Sequence, residues 1–207
     1  MQIEQVVVGA FEVNCWLAGG CNNQVIVIDP GDDPDLIIGA LQEKNWSVAA
    51  YFMTHAHMDH INALYAVHKQ HPAPVAIHGS DLKWAFTRQN TLPPFFLQPP
   101  QAPAAEFIDL AETTSGTHAG LDWQIIHTPG HTPGGVCFFF PQENVLFSGD
   151  TLFAGSVGRT DLPGGHTQTL TASLKKLLEL PDITRVYPGH GPSTNLANEK
   201  RRNPFLA

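Results

Sequence analysis

The sequence predicts a mixed α/β (α+β) fold in which two β-sheets pack together and helices cover the outside. Three observations lead there. Strand-rich stretches alternate with helical ones in both halves of the chain. A proline-rich segment, Leu92–Ala104, joins the halves and is too short to form a domain. The 207 residues, 43% of them apolar, are enough to bury a core without disulfides. One domain spanning residues 1–207 is expected.

Taken in order, Gln5–Ala18 and Gln24–Asp29 are rich in Val, Ile and aromatic residues, and Gly19–Asn23 between them is a hairpin signal. Asp33-Pro34 supplies a helix cap and a proline at the first helical position, and Leu36, Ile37, Ala40 and Leu41 carry the helix to about Lys44. Val48–Met53 reads as a buried strand. Ile61–His71 has helical spacing, stopped by Pro72 and Pro74, and Val75–His78 is a short strand. Asp81–Gln89 reads as a helix, and the five prolines of Leu92–Ala104 make that segment irregular. Strands resume at Trp123–His127, Gly135–Phe140 and Asn144–Ser148. Leu170, Leu174, Leu177 and Leu178 form one stripe of a helix over Thr169–Leu180. A last strand, Arg185–Tyr187, follows.

Composition narrows the function. The net charge of −8 would repel a phosphate backbone, so general nucleic-acid binding is not expected, and Lys200-Arg201-Arg202 is too small a basic cluster to change that. No apolar run approaches the ~20 residues of a membrane span, and the start lacks the pattern of a leader. Three cysteines without metal-site spacing fit reduced thiols, so a cytoplasmic protein is expected. Histidine is the outlier: 11 residues, as many as Lys and Arg together.

Seven residues of metal-ligand type stand at strand ends and in Gly/Pro turns: His55, His57, Asp59, His60, His131, Asp150 and His190. His55 and His57 are two apart, so extended backbone points both side chains one way and lets them share an ion. Asp59 and His60 fall where the chain turns into a helix, displaced from that pair and suited to a second ion. A shared carboxylate is needed to hold two cations close, and Asp150, in Phe147-Ser148-Gly149-Asp150-Thr151, is the best candidate bridge. His131 projects from Thr128–Gly135 and His190 from Pro188–Gly191, both turn sequences. Four metal-competent side chains within six positions after a buried strand have no evident packing use.

The blocks Thr54–His60, Thr128–Gly135, Ser148–Phe153 and Pro188–Gly191 together resemble the metallo-β-lactamase superfamily, and within it the short bacterial glyoxalase II-like (hydroxyacylglutathione hydrolase-like) proteins. The likeness runs from Ile28-Asp29-Pro30-Gly31 to Asn203-Pro204-Phe205-Leu206. It implies a four-layer αβ/βα sandwich of two mixed β-sheets with helices on the outer faces. It also implies that His55, His57 and His131 hold one ion, that Asp59, His60 and His190 hold the other, and that Asp150 bridges them. The C-terminal helical glutathione-binding domain of the longer enzymes is not expected.

Two divalent cations lower the pKa of a shared water and yield hydroxide at neutral pH. That hydroxide would attack a thioester carbonyl while a cation steadies the oxyanion. Asp59 is read as ligand and orienting group, and Asp59 and Asp150 as the catalytic carboxylates. The resemblance implies cleavage of S-D-lactoylglutathione or a related 2-hydroxyacyl thioester, a small-molecule substrate, with Arg159 contacting the glutathione part. The plainer role for Arg159 is a structural pair with Asp161. Zinc is the first choice of ion, and iron and manganese suit the same ligands. The alternatives within the same fold are a mononuclear-iron persulfide dioxygenase, suggested by Gly158–Asp161, and a lactonase or ester hydrolase. Asn62 stands where relatives have glycine, and capping the helix is its expected role. His68 and His71 are expected to be solvated, His78, His118 and His127 to serve turns or strand ends, and His166 to act as a cap. Trp84, Phe86, Phe95 and Phe96 are expected to fill core.

Overall fold

The computed structural model describes residues 1–206. The first sheet has six strands in sequential order: β1 (Gln2–Val8), β2 (Val13–Gly19), β3 (Gln24–Ile28), β4 (Ser47–Phe52), β5 (Val75–Ile77) and β6 (Phe107–Asp109). The first three pair antiparallel and the rest parallel. Parallel neighbours need crossovers. They are α1 (Pro34–Glu43), then α2 (Met58–Ile61) with α3 (Leu64–Gln70), then α4 (Gly79–Ala85) with the proline-rich segment.

The second sheet runs through β7 (Ser115–His118), β8 (Leu121–His127), β9 (Val136–Phe140) and β10 (Val145–Gly149) as an antiparallel meander. After a small hairpin of β11 (Leu152–Phe153) and β12 (Ser156–Val157), α5 (Thr167–Leu177) carries the chain to β13 (Arg185–Pro188), parallel to β10. The edge strand β14 (Thr194–Asn195) and α6 (Leu196–Arg202) follow.

The alternation of side chains along the strands makes the layers. Phe52 of β4 points between the sheets, while Tyr51 of the same strand and Met53 just after it join Ile37, Leu41, Leu64 and Val67 under the helices. On β9, Phe138 and Phe140 point inward, and Cys137 and Phe139 pack on Leu170, Leu174 and Leu177 of α5. Phe52 stacks on Phe138 with ring centres 4.5 Å apart, and Trp123 meets Phe52 edge-on at 5.0 Å. The expected sandwich of two mixed sheets with outer helices is what the chain forms.

The local departures have physical causes. Gln5–Ala18 is two strands rather than one, because Gly9 and Glu12 take positive φ and the Glu12 N–H closes the turn on the Gly9 carbonyl. The helix expected over Ile61–His71 breaks at Asn62, which closes α2 and also bonds Asp32 through its amide. Asp81–Gln89 is displaced to Gly79–Ala85, because His78 caps α4 by accepting the Ser80 N–H on Nδ1. His166 caps α5 in the same way, from Thr169. The Lys200-Arg201-Arg202 run forms the last turn of α6, where cations meet the negative helix end. His68 is buried beside Tyr51 rather than solvated, and Phe95 is exposed rather than in core.

Among the described residues no helix is long and apolar enough to cross a membrane. Because Phe138 joins the two sheets while fully buried, Phe138→Ala is expected to lower unfolding free energy by about 3–5 kcal/mol. A fall in the urea midpoint at unchanged slope is the measurement that checks it.

Candidate metal centre

All seven predicted ligands meet at one end of the sandwich. His55 and His57 leave the end of β4, His131 follows β8, Asp150 follows β10 and His190 follows β13. Asp59 and His60 lie in the first turn of α2. The structure thus draws ligands from both sheets to the rim where parallel strands end.

Ligand-type atoms of His55, His57 and His131 all lie within 4.8 Å of one another, and so do those of Asp59, His60 and His190. Asp150 stands between the sets. Its Oδ2 is 3.5 Å from Nε2 of both His131 and His190, and its Oδ1 is 3.4 Å from Nε2 of His60. Gly189 makes room: a Cβ there would collide with the Asp150 carboxylate and lie 2.7 Å from the His60 ring.

The hydrogen bonds decide which ring nitrogen is free. His131 Nδ1 lies 2.7 Å from the Arg159 carbonyl, and His190 Nδ1 lies 3.0 Å from the Phe11 carbonyl. A carbonyl only accepts, so both Nδ1 atoms carry the proton and each Nε2 presents a lone pair inward. His60 Nδ1 donates to Asp29 Oδ2 at 3.0 Å. Thr54 Oγ1 gives its proton to that carboxylate at 2.6 Å, so it accepts from His55 Nδ1 at 3.1 Å. Four rings therefore turn Nε2 toward the centre. His57 instead turns Nδ1 toward His131 Nε2, 2.9 Å away.

This arrangement fits a cation. His55 Nε2 and Asp150 Oδ1 are buried and find no hydrogen-bond partner in the chain. A buried lone pair left so is costly, and a metal ion satisfies it. Burial and the neighbouring imidazoles push His55 far below the ordinary histidine range. Burial, with His131 behind it, takes His57 down to about 3. Burial also opposes charge on His60, but Asp150, Asp59 and Asp29 outweigh it and lift that ring to about 10. Asp29 holds the Nδ1 side of that ring, while Asp150 and Asp59 stand 3.4 and 3.9 Å from its Nε2. Burial would raise Asp150, yet His60, His131 and His190 hold its carboxyl below the usual range.

Reading the sequence missed the residues behind the ligands. Asp29 is almost fully buried and accepts from the Thr54 N–H, the Thr54 hydroxyl and His60, so it braces one ring of each set. It also groups with His55 and His60 as a possible ligand cluster. Its oxygens are already taken up by those donors, which makes it a brace. Its one signal in the sequence is an acid directly after a run of buried apolar residues. Asp81 and Asn90, bonded to the backbone of Ala56, left no signal.

Beside the centre lies a cavity of about 860 Å³, walled by Phe11, Trp84, Leu92, Phe153, Val157 and Leu162 among others. Trp84 packs against the core as expected and also faces the cavity, as does Phe11, which packs against Phe95 and Phe96. Arg159 lines it as well, but its guanidinium pairs with Asp161 through two hydrogen bonds of 2.7 Å. That guanidinium holds the Asp161 carboxyl down at about 2.

Comparison with known proteins agrees with this geometry. The family profile described as "Metallo-beta-lactamase superfamily" matches residues 8–190. The hydroxyacylglutathione hydrolase GloC of Haemophilus influenzae is 38% identical over 217 residues, covering 100% of this chain and 98% of that protein. The crystal structure of BLEG-1 B3 metallo-beta-lactamase superposes with a TM-score of 0.90 at 34% identity, with both chains covered in full. TTHA1623 in a di-iron-bound form gives 0.84 at 38% identity, covering 98% of this chain and 100% of that one.

Since Asp29 orients one ring in each set, Asp29→Ala is expected to lower affinity for metal in both, by about 10–100-fold. Elemental analysis after gel filtration, alongside titration with a chelator, measures it.

Proposed function

This chain belongs to the metallo-beta-lactamase superfamily, and from that premise we propose that it is a dinuclear metallohydrolase that cleaves a thioester, S-D-lactoylglutathione or a related 2-hydroxyacyl thioester. One observation carries the reading: four imidazoles turned by their outer hydrogen bonds so that Nε2 converges beside a buried carboxylate oxygen that nothing in the chain satisfies. In this reading His55, His57 and His131 would hold one ion and Asp59, His60 and His190 the other, and Asp150, whose oxygens lie between the two sets, would serve both. Imidazole and carboxylate suit zinc, iron and manganese alike; we assign zinc, with iron as the alternative occupant that the di-iron form of TTHA1623 supports.

Bound there, two divalent cations supply a water of lowered pKa and polarise a carbonyl oxygen. The chain does the rest. Asp59 is only part-buried and faces the cavity, so it can orient the attacking water and take up its proton. The apolar wall of Phe11, Trp84 and Leu92 excludes bulk water and strengthens every charge interaction inside. Arg159 at the rim contacts the carboxylate-bearing thiol portion, exchanging Asp161 for the substrate; both side chains are more than 60% exposed, so the exchange costs little. The 38% identity to a hydroxyacylglutathione hydrolase supports this substrate class.

Protein of measured metal content is expected to release thiol from S-D-lactoylglutathione with saturation kinetics. Chelation is expected to abolish the activity and added zinc to restore it. Oxygen uptake with glutathione persulfide in the absence of thioester cleavage overturns the reading in favour of a dioxygenase; cleavage of lactones alone overturns the substrate only. Asp150→Ala is expected to cost more than about 100-fold in kcat. Arg159→Ala is expected to raise KM several-fold with kcat nearly unchanged, the pattern of binding felt equally in ground and transition state.

A further inference from the structure

We propose that Asp81, which is not among the ligands, is a positioning residue that pre-forms the site of His55, His57 and His131; the inference rests on the reading of those three as ligands of one ion. The Asp81 side chain is completely buried on α4, and its hydrogen bonds run to the two turns that carry these ligands. Oδ2 accepts the backbone N–H of Ala56, between His55 and His57, at 3.1 Å. The same oxygen accepts the hydroxyl of Thr132, next to His131, at 2.7 Å. Oδ1 accepts the Gly134 N–H at 2.6 Å. Burial raises the Asp81 carboxyl, and these three bonds, with the Trp84 side chain, oppose that rise.

The two turns belong to different sheets, one leaving β4 and the other β8. One side chain therefore ties the ends of both sheets together, independently of any ion. Asn90 completes the hold by donating to the Ala56 carbonyl and to the Ala85 carbonyl, each at 2.7 Å. Both backbone polar groups of Ala56 are thus fixed by α4 and the turn after it. Gly134 permits the approach, since a Cβ there would lie 2.7 Å from the Asp81 carboxyl.

The other ligand set does not use this device. His60 is braced by Asp29 and His190 by the Phe11 carbonyl. Fixed turns spare the ordering cost that otherwise subtracts from binding. Asp81 is therefore expected to govern affinity for one ion and leave the other alone.

Asp81→Asn tests this, because the amide must turn its NH₂ either on Gly134 N–H or on the Ala56 and Thr132 donors. Zinc titration against a chromophoric chelator, with cobalt spectra of the loaded protein, is expected to show one ion weakened about 10–100-fold and the other unchanged. Thr132→Val removes one donor at nearly constant volume and is expected to weaken the same ion by a smaller factor, which keeps the test open if Asp81→Asn does not fold. A purely architectural Asp81 would lower the thermal midpoint of metal-free protein without separating the two affinities, and that outcome overturns the inference. So does Thr132→Val or Asp81→Asn protein that binds both ions as tightly as wild type, while the dinuclear reading stands. Wild-type protein that takes up no ion overturns the reading itself and this inference with it.

Discussion

A histidine ring can give a metal only the nitrogen that its other hydrogen bond leaves free, and in this protein those other bonds are made by the scaffold. The Arg159 and Phe11 carbonyls, the Thr54 hydroxyl and the Asp29 carboxylate each claim one Nδ1 proton. Two of these acceptors anchor each other. Thr54 is locked to Asp29 through both its backbone and its hydroxyl, and Asp29 stands directly after β3. Once the strands set these acceptors, the rings have little rotational freedom left. The centre is then a by-product of strand-end geometry more than of contacts among the ligands.

That explains why two sheets are needed. Residues at the ends of β3 and β4 in one sheet face residues at the ends of β8, β10 and β13 in the other, and the aromatic stack of Phe52, Trp123 and Phe138 holds the sheets in register. Side chains that bulky interdigitate at close-packed density, so a shift of one sheet against the other meets hard contacts at once. A fixed inter-sheet distance is what lets His131 Nε2 sit 2.9 Å from His57 Nδ1, although the two residues are 74 positions apart.

Much of this was legible in the amino-acid order, and the reasons divide cleanly. The candidate ligands were readable because imidazole and carboxylate are rare together after a buried strand, and because Gly and Pro mark the turns holding His131, Asp150 and His190. The strands were readable where a short unbroken apolar run stands between turn residues, as Val136–Phe140 does between Gly135 and Pro141. The turn at Gly9–Glu12 was hidden because apolar residues continue on both sides of it, and the break at Asn62 because helical spacing runs through it. Asp29, Asp81 and Asn90 were hidden for another reason. Their importance lies in which distant backbone groups they reach, and a lone acid or amide next to a strand or helix start looks the same whether it faces solvent or a buried N–H.

The cavity wall has a different provenance from its floor. Trp84, Gln89, Thr91 and Leu92 come from α4 and the irregular crossing toward β6, where Phe95 and Leu97 stand out in solvent, 63% and 67% exposed. Asp81, Trp84, Ala85 and Asn90 hold that stretch to the strand ends and core beneath, whereas Leu92–Phe95, Leu97 and Gln98 are exposed. Selection could rewrite a dozen residues there, changing which molecules are admitted, and leave the reactive machinery intact. Diversification of this kind needs no new chemistry, only a new doorway over an old hearth.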